Sequence, residues 1–83
     1  RTVATKLLAL TPGKVKELPD FDLISSKYDV QIEHHLHVGD VITPYRTNLD
    51  GCGYVVACGY DVDNCIVLAT DVRKVIDESI VRE

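Results

Sequence analysis

The stretch from Gly51 to Val81 constrains this chain most, because it sets a strand, a glycine turn and a long helix in that order. Cys52, Tyr54, Val56 and Cys58 alternate with Gly53, Val55, Ala57 and Gly59. Apolar residues at both parities predict a central strand with one face closely covered. After Gly59 and Tyr60, Asp61 stands as an N-cap, and Asp63 in the first turn complements the positive end of the helix dipole. From Val62 onward Cys65, Ile66, Ala69, Val72, Ile76 and Ile80 recur at helical spacing. The helix is expected to run to about Val81, roughly 30 Å at 1.5 Å per residue.

Upstream, Thr2 to Leu10 is rich in strand formers, with Val3, Thr5, Leu7 and Ala9 on one face of the pleat. Thr11-Pro12-Gly13 supplies a turn, and Lys14 to Leu18 is expected to fold back as a partner strand, making a hairpin. Pro19 stops that strand and Asp20 caps a short helix through Asp22, Leu23 and Ile24 to Ser26. The run Tyr28 to Val38 alternates. Val30, Ile32, His34, Leu36 and Val38 take one face and Gln31, Glu33, His35 and His37 the other, as in a half-buried strand. Gly39-Asp40 turns into Val41, Ile42 and Thr43, which Pro44 confines to an edge or an end. Tyr45 to Asp50 reads as a loop, and Asp50-Gly51 as a further turn.

These elements predict one α+β domain over residues 1–83: two layers, an antiparallel sheet of about four strands, one long C-terminal helix and one short helix. At 83 residues such a chain buries about 60% of its unfolded surface, enough for a thin core but not for a cleft between lobes. With 46% hydrophobic and 27% charged residues it belongs with ordinary globular proteins. The chain begins at Arg1 and holds no methionine, so it is expected to be a processed chain or a piece of a longer one. A net charge of -4 and scattered basic residues, with only Lys14, Lys16 and the pair Arg73, Lys74 close together, argue against a nucleic-acid partner. The longest apolar runs are far short of a bilayer span, so no membrane partner is expected.

The sharpest chemical cluster is Glu33-His34-His35-Leu36-His37. On a strand, Glu33, His35 and His37 share a face, and two imidazoles at that spacing can hold one metal ion if Asp40 or another group completes the set. The plainer reading is two exposed histidines. His34 points with Val30 and Ile32, as a hydrogen-bonded core or interface residue rather than a catalyst. Cys52, Cys58 and Cys65 contain no C-x-x-C pair, and small buried thiols in a reducing, cytoplasmic setting explain them better than disulfides or zinc. Cys65 gains the helix dipole that favours a thiolate, but its place on the apolar stripe turns it inward. Gly51, Gly53 and Gly59 match neither dinucleotide nor Walker spacing, and read as turn and close-approach glycines. Arg46, in the loop, is within reach of a carboxylate or phosphate on a neighbouring domain, or is a solvated charge.

In order, Pro12-Gly13, the strand ending Val38-Gly39-Asp40-Val41, the strand Gly53-Tyr54-Val55-Val56-Ala57-Cys58-Gly59 and the acidic-started helix resemble the C-terminal subdomain of ATP-grasp ligases of the L-amino-acid ligase type, over Thr2 to Val81. The chain departs from that pattern at Cys65, where a small residue such as alanine is usual, and in the polar loop Thr43 to Asp50. The resemblance implies a parent enzyme that joins a carboxylate to an amine through an acyl phosphate. ATP and Mg would be held by its central domain, the expected partner of this one. No catalytic, cofactor-binding or metal-binding residue carries over to this chain, which would support and partly close the active site. A reading from another class is a stand-alone ligand-binding or regulatory module that self-associates through a sheet edge; modules of that kind usually begin strand, helix, strand.

Overall fold

The computed structural model describes residues 2–43 and 52–83. Its centre is the strand that the alternation around Tyr54 predicts. In chain order the elements are β1 (Thr2–Leu7), β2 (Gly13–Glu17), α1 (Phe21–Tyr28), β3 (Gln31–His34), β4 (Val41–Ile42), β5 (Gly53–Gly59), α2 (Val62–Ser79) and β6 (Val81–Arg82). The strands form two antiparallel sheets of three, in the orders β1-β5-β3 and β4-β2-β6. The two-layer α+β reading stands, with its strands divided between two sheets rather than gathered in one of about four.

β5 is hydrogen-bonded along both edges. Val3 pairs with Cys58 and Leu7 with Tyr54 on one side; Gln31 pairs with Val56 and His34 with Gly53 on the other. α2 packs on β5 and β1, and α1 on β3 and α2. Val55 and Ala57, on the helix side of β5, are fully buried beside Ala69, Val72 and Ile76 of α2. Each fully buried Val or Ile side chain among these contributes about 1.5–3 kcal/mol. Leu8, Leu10, Val15, Ile42 and Ile80 continue the same core towards the second sheet.

Both helix starts follow their caps. The Asp20 side chain accepts from Leu23 N and that of Asp61 from Asp63 N. α1 runs on to Tyr28, where Asp29 turns left-handed at φ 53°. The expected strand from Tyr28 is therefore cut at both ends, to Gln31–His34, although Val30 and Leu36 still point inward. Val38, expected on the same face, is exposed in a turn with Gly39 at φ 98°, closed by Asp40 N donating to His37 O at 3.0 Å. α2 ends at Ser79 rather than Val81, because Val81 and Arg82 pair with β2.

The expected hairpin between the first two strands does not form. β5 takes the inner edge of β1, with Leu8 N donating to Gly53 O at 2.9 Å just beyond it. The chain then leaves this sheet for the other through Thr11, whose backbone N–H and hydroxyl both donate to the Asp77 carboxylate. The turn residues mark a change of sheet, not a return. Along β1, Val3, Thr5 and Leu7 share the outward face, and Leu8 just beyond it lies in the core. Pro44, the loop 45–50 with Arg46, and Gly51 lie outside the described residues.

Where β3 meets β5, a Cβ on Gly53 would overlap the carbonyl oxygen of Glu33 and stand 2.7 Å from His34 Cα. Gly39→Ala meets open space and carries only the cost of its positive φ, about 1–2 kcal/mol. Gly53→Ala forces two strands apart and is expected to cost about 3 kcal/mol or more, a large part of the stability of a domain this size. Urea denaturation of the two variants checks the difference; equal midpoints would refute it.

Candidate functional site

The histidine cluster does not converge. β3 ends at His34; one more bond, His35 N to Cys52 O at 3.2 Å, follows it, and Leu36 N then turns back to donate to His34 Nδ1 at 3.1 Å. His35 and His37 consequently leave the strand whose face they were expected to share. Asp40 does approach His37, with its Oδ2 accepting from His37 N at 2.8 Å and lying 3.7 Å from Nδ1. Among the described residues no three His, Cys, Asp or Glu side chains stand close enough to hold a metal ion.

His34 occupies the place expected of it. Its ring stacks on Phe21 with centroids 3.7 Å apart. Burial, helped by the neighbouring His35 and His37, holds its pKa below the ordinary 6.5 against the pull of Glu33 and Asp22. An imidazole kept neutral this way can keep accepting from Leu36.

The three cysteines divide rather than sharing one environment. Cys65 is buried, with Sγ 3.8 Å from Thr2 O, and a Cβ on Gly59 would sit only 3.1 Å from that sulfur. Gly59 thus makes room for the thiol, as a close-approach glycine. Cys52 is half-buried, and burial together with the Asp40 charge pushes its thiol pKa up, away from nucleophilic use. Cys58, expected to be buried, is exposed because odd-numbered β5 residues take the helix side and Cys58 faces outward. The start of α2 is not shaped for a phosphate: Asp61 already accepts from the first turn, and Asp63 adds a second negative charge there.

A polar cluster that the sequence did not suggest lies at the far end of α2. Arg82 donates from Nη2 to Asp77 Oδ1, from Nη1 to the carbonyls of Asp77 (3.1 Å) and Ile80 (3.3 Å), and from Nε to Thr11 O at 2.9 Å. Arg82 therefore satisfies carbonyls that the helix end leaves open, in place of a C-terminal glycine. Asp77 completes the cluster by accepting from Thr11 N at 2.9 Å and Thr11 Oγ1 at 2.7 Å. Burial alone would raise the Asp77 carboxyl, but these Thr11 bonds and the Arg82 charge hold it below its ordinary 3.8. A cavity of about 250 Å3 beside it is lined by Ala9, Thr70, Arg73, Lys74 and Asp77. The one sequence signal was an acid and a base five residues apart across the helix end. It carries no meaning until the helix is known to stop between them.

A family model described as L-amino acid ligase C-terminal domain 2 matches residues 6–80. Comparison with curated proteins and with solved structures gave no match.

Asp77 and His34 both weaken the fold on acidification, in separate pH ranges. Because the folded-state pKa of Asp77 is depressed, its stabilisation is complete above about 3.8 and is lost as pH falls through the lower folded value. Asp77→Asn is expected to cost about 1.5–3 kcal/mol at neutral pH and to flatten the acid limb of stability against pH. For His34, whose folded state prefers the neutral ring, stability is complete above 6.5 and declines as pH falls below it. Denaturation midpoints measured across pH, with an imidazole NMR titration, check both. A His34 pKa at or above 6.5 would contradict the second.

Proposed function

The chain belongs to the L-amino acid ligase C-terminal domain 2 family, and on that footing we propose that it is the non-catalytic part of an ATP-dependent carboxylate-amine ligase. In this reading it supports and partly closes an active site built on the ATP-grasp central domain of the same polypeptide, in the cytoplasm. ATP and Mg2+ are held by that other domain. The observation that carries the proposal is the family match over residues 6–80. Four chemically versatile side chains support it, being occupied in holding the fold together. Cys65 is buried under Gly59, His34 is stacked and hydrogen-bonded, and Asp77 and Arg82 hold the end of α2.

A supporting domain acts on catalysis through position. Misplacement by about 1 Å of groups that orient a substrate costs about a hundredfold in rate, so a domain with no reacting atom can still govern turnover. The ligase lacking this segment is expected to ligate about a hundredfold more slowly, while the 83-residue chain hydrolyses no ATP by itself. Phosphate release from the purified chain, above that of a denatured control, would sink the proposal. So would undiminished ligation by the shortened enzyme.

A further inference from the structure

Among the described residues, the sheet β1-β5-β3 is covered by helices on one side only. Its other side carries three cross-strand rows: Val3 beside Cys58; Thr5, Val56 and Gln31; and Leu7, Tyr54 and Glu33. Val3 is 57% exposed, Tyr54 40% and Leu7 36%. A solvated face of an antiparallel sheet ordinarily alternates to polar residues. Here the outward positions of the central strand are Tyr54, Val56 and Cys58, and Glu33 at one corner is the only charge in the rows. At the β3 side the face contains a cavity of about 240 Å3 lined by Asp29, Val30, Gln31, Val56 and Cys58. Asp29, exposed and among these lining residues, makes no ion pair among the described residues.

We infer that this face docks a neighbouring domain of the same ligase polypeptide through an apolar surface that inserts one Lys or Arg side chain into the cavity, its stem against Val56 and its charge beside Asp29. The inference rests on the chain being one domain of a ligase, which supplies a neighbour tethered at high effective concentration. Charge complementarity selects the occupant. A second copy would bring another domain of net charge -4, with its own Glu33 and Asp29, onto the same face, and like charges at an interface are repulsive. An apolar centre with a carboxylate at its edge is instead met by an apolar patch with a basic rim, the stem of the long cation packing while its head pairs.

Cys58 reports on the face, because its thiol lies within it, and buried Cys65 serves as the control for folding. In the intact ligase, maleimide labelling of Cys58 followed by peptide mass spectrometry is expected to be about tenfold slower than in the 83-residue chain. Val56→Lys in the intact ligase places a second cation in the face and should restore fast labelling of Cys58 with Cys65 still protected. Asp29→Asn, which suits the left-handed backbone equally well, should restore it partly. Equal labelling of Cys58 in the intact wild-type ligase and in Val56→Lys overturns the inference, whether or not the isolated chain folds. A dimer of the 83-residue chain with Cys58 shielded also overturns it, in favour of a second copy. If removal of the domain abolishes ligation while Cys58 labels freely, the supporting role stands and the face is wrong. If Cys58 is shielded but Val56→Lys ligates normally once labelling is restored, docking stands and the supporting role falls.

Discussion

The fold depends on how closely β5 can be approached from three directions. Two strands bond its edges and α2 covers the side bearing Val55 and Ala57. That crowding depends on Gly53, where a methyl would collide with the backbone of β3, and is eased at Gly59, where one would press on Cys65 of α2. Small residues at the ends of β5 and branched ones between them let a single strand organise most of the core. With β3 pushed outward at Gly53, Ile32 would lose its seat opposite Val55 and α1 its anchorage on β3.

The second sheet is tied to the first by polar contacts as well as by the shared core. Thr11, Asp77 and Arg82 come from the link between sheets, the last turn of α2 and the final strand; the Asp77 carboxylate takes the Thr11 N–H, and Arg82 answers the carbonyls of Thr11 and Asp77. Such a closed set stabilises because no member is left unpaired in a partly buried place. It also explains how a helix without a terminal glycine stops cleanly at Ser79.

Local chemistry was legible in the sequence where one residue decides one event. Asp20 and Asp61 announce helix starts, the spacing from Cys65 to Ile76 announces the buried stripe, and the double-parity strand announces a central position. Pairing was not legible. Pro12-Gly13 says that the chain turns but not which strand it then joins, since partner choice depends on Gly53 to Gly59, some forty residues on. Alternation from Val30 to Leu36 separates two faces correctly, yet it continues through the end of α1 and past β3, so it misplaces both limits of the strand. In β1 the better strand formers face outward, because β-propensity rewards a half-exposed pleat as much as a core. The candidate chemistry inherits these errors: His35 and His37 share a face only if the strand reaches them, and Cys58 is buried only if the wrong side of β5 is covered.

The contact from Arg82 to Thr11 spans 71 residues, and β1 pairs with a strand more than fifty positions later. A chain that joins its beginning to its end in this way has little local structure able to stand alone before the last turn of α2 is made. On a ribosome its first strand must wait, edges open, until nearly the whole segment has emerged. Sequence order thus becomes a timing problem. The domain folds late and all at once, and whatever precedes it in a longer polypeptide has already been synthesised when it does.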